Sequence, residues 1–205
     1  MERPDLAEEL GRLAEHDLAV RARLDELGQL HGGYHPEMRA VHRHNGDRLA
    51  DIVDEVGCWP GFRLVGERGS EAAFLIAQHD IAAPALMRCW RALYAQAVDE
   101  ADAEPCRLAY LDDRIRYFEG RPQRYGTQLG WNPDGEFGPW PPVDQPERAD
   151  ERRRTLGLPP LADAVAAAAT DRRTDRPAAE VLAEHRRAEE FARQVGWRDH
   201  DGQAV

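Results

Sequence analysis

The sequence predicts a mainly α (α+β) fold, a helical core carrying one small β-hairpin. Three observations lead there. Apolar residues recur at three- and four-residue spacing along most of the chain, proline and glycine stand at the ends of those stretches, and the period moves towards two only after Arg116. A chain of 205 residues, 42% hydrophobic and 32% charged, can bury a core and remain highly soluble. The expected organisation is an N-terminal amphipathic helix over 1–33, a core domain over 34–161 that carries the polar site, and peripheral C-terminal helices over 162–205.

The first helix rests on Leu6, Leu10, Leu13, Val20, Leu24 and Leu27, a stripe interrupted only by Asp17, and ends at Gly32-Gly33. It suits packing on the domain or pairing with a second copy. After His35-Pro36 a second helix runs to about Val56 on Met38, Val41, Leu49, Ile52 and Val53. His42 and Asn45 fall on that same stripe, and His44 does not. An HxH pair cannot chelate from one helix face, so His42 and His44 are no ligand pair.

Trp59-Pro60-Gly61 turns the chain, and a helix capped near Ser70 runs through Ala72, Ala73, Phe74, Leu75, Ile76 and Ala77 to Gln78-His79-Asp80. Being apolar almost all round, it should be central. A break at Ala83-Pro84 precedes a helix over about 85–100 with Leu86, Trp90, Leu93 and Ala97 inward. Pro105 opens the next, where Leu108, Leu111 and Ile115 form the stripe. Asp112 sits on that stripe, Asp113 points away, and Tyr110 and Arg114 share a neighbouring face.

Arg116-Tyr117-Phe118, Glu119-Gly120 and Gln123–Leu129 read as the hairpin, with Gln123, Tyr125, Thr127 and Leu129 on one face. Trp131–Pro146, rich in Gly, Pro and Trp, reads as an irregular ordered loop. An alanine-rich helix and a charged helix over 178–195 follow, separated by Thr170–Pro177.

Charge and composition narrow the function classes. Net charge is −11 and all 27 basic residues are arginine, so no nucleic-acid partner is expected, because phosphate contact needs clustered positive charge. Arg152-Arg153-Arg154, flanked by acids, reads as a solvated helix start. No apolar run reaches the about 18 residues of a membrane span, and the charged N-terminus does not resemble a cleavable signal. Cys58, Cys89 and Cys106, odd in number and without CxxC spacing, read as reduced, mostly buried thiols of a cytoplasmic protein.

Four polar groups break their local patterns, which is where functional or strained sites are found. His42 and Asn45 interrupt an apolar stripe, as a buried hydrogen-bonded pair or as part of a site. Gln78-His79 emerges from the most buried helix, and His79 is the best acid/base candidate, against a purely structural helix C-cap. Asp112-Asp113-Arg114 offers carboxylates to orient a histidine and a guanidinium for an anion, or an internal ion pair. Gln123 to Gln128 is a dense set of neutral donors and acceptors in which Gly126 suggests a close approach, unless the strand merely faces solvent.

In order along the chain, Asn45, Gly57-Cys58-Trp59-Pro60, Val65-Gly66, Gln78-His79, Tyr110-Leu111-Asp112-Asp113-Arg114, Gly120-Arg121-Pro122-Gln123 and Tyr125-Gly126-Thr127-Gln128 stand with Trp140-Pro141 and Arg154-Thr155-Leu156-Gly157-Leu158. Over about Val41–Leu161 this set resembles a bacterial family of unknown function marked by QH, DR and G-x-Q-x-YGTQ motifs. The resemblance implies motif positions at Asn45, Gln78, His79, Asp113, Arg114, Gln123, Tyr125 and Gln128, and names no reaction. The chain departs from the pattern at Asp80, at Cys58 and in the alanine-rich segment after Leu161.

The leading expectation is a small enzyme of hydrolase or lyase type acting on a polar or anionic small molecule or a modified peptide. Its catalytic set is His79, Asp112, Asp113, Arg114 and Tyr125, its substrate-binding set Asn45, Gln78, Gln123, Thr127 and Gln128, with no metal or other cofactor. The first alternative is a non-catalytic binding or regulatory module, with a homodimer through the N-terminal helix. The second is a metal site using His79 with His42 or His35 and a carboxylate.

Overall fold

Proline stands at the first position of α1 (Pro4–Glu26), α2 (Pro36–Val56), α4 (Pro84–Asp99) and α5 (Pro105–Glu119) in the computed structural model, which describes residues 2–169, 178–199 and 201–205. At that position the missing N–H is one the helix would leave unpaired anyway. The chain is mainly α, with eight helices among the described residues and one small antiparallel hairpin. It divides into two compact units, Met1–Glu104 and Pro105–Val205. Among the described residues no helix is long and apolar enough to cross a membrane.

In the first unit α1 lies along α3 (Phe62–His79) and against α2. Small residues on α3 permit this: a Cβ built on Gly69 would come within 3.2 Å of the Ala7 backbone, and Ala72, Ala73 and Ala77 are buried beside it. Leu6, Leu10 and Leu24 of α1, Leu49 and Ile52 of α2, Ile76 of α3 and Met87, Trp90 and Tyr94 of α4 are almost wholly buried. Tyr94 also receives Trp59 edge-on at 5.0 Å. The third helix starts earlier than Ser70. It opens at Phe62 after Gly61, passes a non-helical Gly66 (φ 69°, ψ 175°) and continues, so that Ser70 is a buried interior residue and not a cap.

In the second unit the register of the hairpin differs from expectation. Arg116–Glu119 completes the last turn of α5, and the strands are β1 (Leu129–Trp131) and β2 (Phe137–Pro139), paired Leu129 with Pro139 and Trp131 with Phe137. Residues 120–128 form a loop, not a strand. The helices α6 (Ala149–Thr155), α7 (Leu161–Ala169) and α8 (Ala178–Gln194) follow; the break expected at Thr170–Pro177 lies outside the described residues. The C-terminal helix contributes to a core: Phe118 stacks on Trp197 at 5.6 Å and meets Phe191 at 6.0 Å. Nor are the thiols mostly buried, since Cys58 and Cys89 are exposed and Cys106 is half-buried.

Candidate functional site

The helix pair α1 and α2 and the end of α3 bring together three side chains far apart in sequence. Asp17 of α1 is fully buried, and its carboxylate lies between two imidazoles. Its Oδ2 is 2.8 Å from Nδ1 of His79, and its Oδ1 is 3.3 Å from Nε2 of His42. An ionised carboxylate only accepts, so both ring nitrogens donate to it. With Nε2 of His42 protonated, Nδ1 of that ring is the acceptor for the Tyr34 hydroxyl at 2.7 Å. The result is a directed chain: Tyr34 donates to His42, His42 and His79 donate to Asp17. The two imidazoles lie 5.1 Å apart, centroid to centroid.

Burial acts against the Asp17 charge, but the two imidazole donors outweigh it and hold the carboxyl well below its usual range. Burial, with the nearby Asp80 carboxylate adding, raises the Tyr34 phenol. Asp80 itself, the residue after His79, is buried and pushed up to about 7, first by burial and then by Asp47. It packs against the bare Cα of Gly46, where a Cβ would clash with its Oδ2. His42 is 6% exposed, whereas the side chain of His79 is 16% exposed, so His79 is the member of the cluster that reaches solvent.

Asn45 and Gln78 belong to the same unit. Asn45, 0% exposed, donates Nδ2 to the Leu13 carbonyl, and Gln78 is buried beside His79. Neither Asn45 Oδ1 nor Gln78 Oε1 has a hydrogen-bond partner among the described residues. Asp17, His42 and His79 each offer one ligand atom, and these atoms lie within 4.8 Å of one another. His35 plays a different part, accepting from the Glu37 N–H at the start of α2.

The remaining expected site residues lie in the second unit. Both carboxyls of the Asp112-Asp113 pair are buried, Asp113 the more deeply at 0% exposed. Asp113 accepts from the backbone N–H groups of Arg124 (2.7 Å), Tyr125 (3.2 Å) and Thr127 (2.9 Å) and from the Thr127 hydroxyl (3.1 Å). Burial raises its pKa, and these donors pull in the other direction. Asp112 takes Nε of Arg116 at 3.1 Å. Arg114 is half-buried on the same helix.

Gln123, fully buried, donates to the carbonyls of Gln128 and Pro141 and accepts from the Gln128 N–H, so its amide is bonded to the chain's own backbone. The Gln128 side chain donates to the Thr127 hydroxyl. Gly126 has φ 70°, and a Cβ there would lie 2.8 Å from Leu161 and 3.0 Å from Val143, which is the close approach the glycine suggested. Arg153, expected to be solvated, is 2% exposed and donates to the carbonyls of Tyr125 and Pro159 at 2.6 Å. Arg152 donates to the Arg124 carbonyl at 2.7 Å. The 123–128 segment is thus held from both sides by buried charge. A cavity of about 250 Å³ in this unit is walled by Tyr117, Trp140, His185 and Arg198, and none of the expected site residues lines it.

Asp17 is the residue that the sequence reading passed over. Its signal was present, since it is the one polar break in the α1 stripe, but nothing local tied it to histidines 25 and 62 residues away.

A family model, described as a family of unknown function (DUF6624), matches residues 4–171, a wider span than the motifs alone suggested. No curated protein and no solved structure matches the chain.

Proposed function

The chain belongs to that family of unknown function, and we propose for it an acid/base activity of hydrolase or lyase type centred on the Asp17–His79 pair. One observation carries the reading: a buried carboxylate holds Nδ1 of a partly exposed imidazole at 2.8 Å. That bond fixes the tautomer with the proton on Nδ1, which leaves Nε2 as the atom that takes and returns a proton. The carboxylate also stabilises the imidazolium formed in between. Asp17 therefore takes the orienting role that the sequence reading gave to Asp112 or Asp113. Both of those are in contact with groups of their own unit.

The substrate class stays a polar or anionic small molecule or a modified peptide. Gln78, the residue before His79, has an amide oxygen with no hydrogen-bond partner among the described residues and is the group that accepts a hydrogen bond from the substrate. Two exposed, free cysteines, Cys58 and Cys89, support a reducing, cytoplasmic setting.

The test is turnover of a panel of ester, amide, phosphoester and β-elimination substrates by full-length protein kept in chelator. A reaction found for the wild type should fall by about two to four orders of magnitude in His79→Ala and in Asp17→Asn, with unchanged circular dichroism. Full activity in folded His79→Ala sinks the proposal.

A further inference from the structure

We infer that Asp17, His42 and His79 form a binding site for a divalent transition-metal ion of the zinc or cobalt type. The inference shares its location with the proposed activity but does not rest on it.

The ligand geometry comes first. Ligand atoms of a tetrahedral site with bonds of about 2.0–2.1 Å stand about 3.3 Å apart. Asp17 Oδ2 is 3.3 Å from His42 Nε2 and 2.8 Å from His79 Nδ1, so the first edge already has ligand spacing and the second needs to open by only about 0.5 Å. No separation within the set exceeds 4.8 Å. Two imidazole nitrogens and one carboxylate oxygen select a borderline ion; magnesium and calcium prefer oxygen alone.

The hydrogen-bond balance is the second, independent observation. The buried part of the site is rich in acceptors. Asn45 Oδ1, on the residue one helical turn from His42, and Gln78 Oε1, on the residue before His79, are both buried without a donor among the described residues. The Asn45 amide cannot simply be turned round, because its Nδ2 already donates to the Leu13 carbonyl at 3.1 Å. A cation at the cluster adds positive charge beside the buried carboxylate, and water on the cation supplies donors to buried oxygens within its reach.

The outer contact fits as well. A metal on His42 Nε2 moves that ring's proton to Nδ1, which then donates to the Tyr34 oxygen at 2.7 Å, an acceptor in the place where a metal-bound imidazole usually meets a carboxylate, carbonyl or water. Three protein ligands leave one tetrahedral position for water, and such water ionises near neutrality on zinc. Metal and the shared proton compete for His79 Nδ1, so the loaded and metal-free states of the cluster are alternatives.

The experiment uses tag-free full-length protein stripped with chelator and dialysed. Titration with Zn²⁺ is followed by calorimetry, and Co²⁺ binding is followed by its visible ligand-field absorption. One equivalent should bind, with the intense absorption of a tetrahedral site. Asp17→Asn, His42→Ala and His79→Gln should each weaken binding by more than the about 10- to 100-fold that loss of an outer contact costs. Tyr34→Phe should fall within that range, and His44→Ala, off the buried face of α2, should change nothing.

Wild-type protein that binds neither ion stoichiometrically overturns the inference, and this arm needs no variant to fold. So does binding that His44→Ala weakens as much as His79→Gln. Either result leaves the metal-free activity of the preceding section untouched, just as metal binding without any turnover would leave this inference standing.

Discussion

Replacing Asp113 by alanine removes a side chain that accepts from three loop amides, those of residues 124, 125 and 127. The N–H groups of Arg124, Tyr125 and Thr127 lose this acceptor, and the Thr127 hydroxyl keeps only the Ala109 carbonyl at 3.5 Å. A hydrogen bond to a charged group contributes about 1.5–3 kcal/mol when its donor is sealed from water. Arg124 is exposed, however, and Tyr125 and Thr127 are half-buried, so water can reach part of the loop and about 1 kcal/mol per amide is the better figure. Ionising a fully buried Asp113 also carries a cost, which the substitution removes. The net expectation is a destabilisation of about 3 kcal/mol for Asp113→Ala and about 2 kcal/mol for Asp113→Asn, which keeps one acceptor but turns an amide donor towards other donors. At roughly 2–4 °C per kcal/mol for a chain of this size, Asp113→Ala should lower the melting temperature by roughly 6–12 °C. Thermal unfolding by circular dichroism measures this, with hydrogen exchange at amides 124, 125 and 127 showing whether the loss is local. A shift below about 2 °C with unchanged exchange would refute the loop-anchoring role of Asp113.

Two further outcomes are expected in the first unit. Gly46→Ala should destabilise by about 1–3 kcal/mol in urea unfolding, because the added Cβ meets the Asp80 carboxyl inside a packed helix contact; a neutral effect would mean that Asp80 leaves its position freely. Asp80 itself should make stability depend on pH. Its folded-state pKa, about 7, lies above its ordinary value of 3.8, so the folded form favours the protonated acid. That contribution is complete below the ordinary value and is lost as pH rises through about 7. Melting temperatures from pH 5 to 8 should therefore fall more steeply for the wild type than for Asp80→Asn, and parallel curves would contradict this.

The helices were legible because periodicity and punctuation are local: α1, α2, α4 and α5 begin at prolines visible in the sequence. The hairpin was placed about ten residues early because polar alternation over 123–129 mimics a strand, while the cause of the true conformation, a carboxylate on the preceding helix, is a tertiary contact. The same limit hid Asp113. Its direction from the α5 stripe was judged against apolar neighbours, whereas its partners are loop amides. Arg152 and Arg153 looked solvated because charge runs usually are, yet both guanidiniums bond backbone carbonyls. At the candidate site, His42, Asn45, Gln78 and His79 were each visible as polar residues in apolar settings. Their common partner was visible too, as the break at Asp17, but only the packing of α1 along α3 joins it to His79.

The tautomer of His79 in the metal-free protein tests the central claim most directly. Long-range ¹H–¹⁵N correlation spectra of the imidazoles, recorded above the ordinary histidine pKa of about 6.5, should show His79 protonated on Nδ1 with Nε2 bare. The same spectrum of Asp17→Asn should show that preference lost. A neutral His79 protonated on Nε2 in the wild type would mean that Asp17 does not orient it, and the acid/base centre proposed here would have no basis.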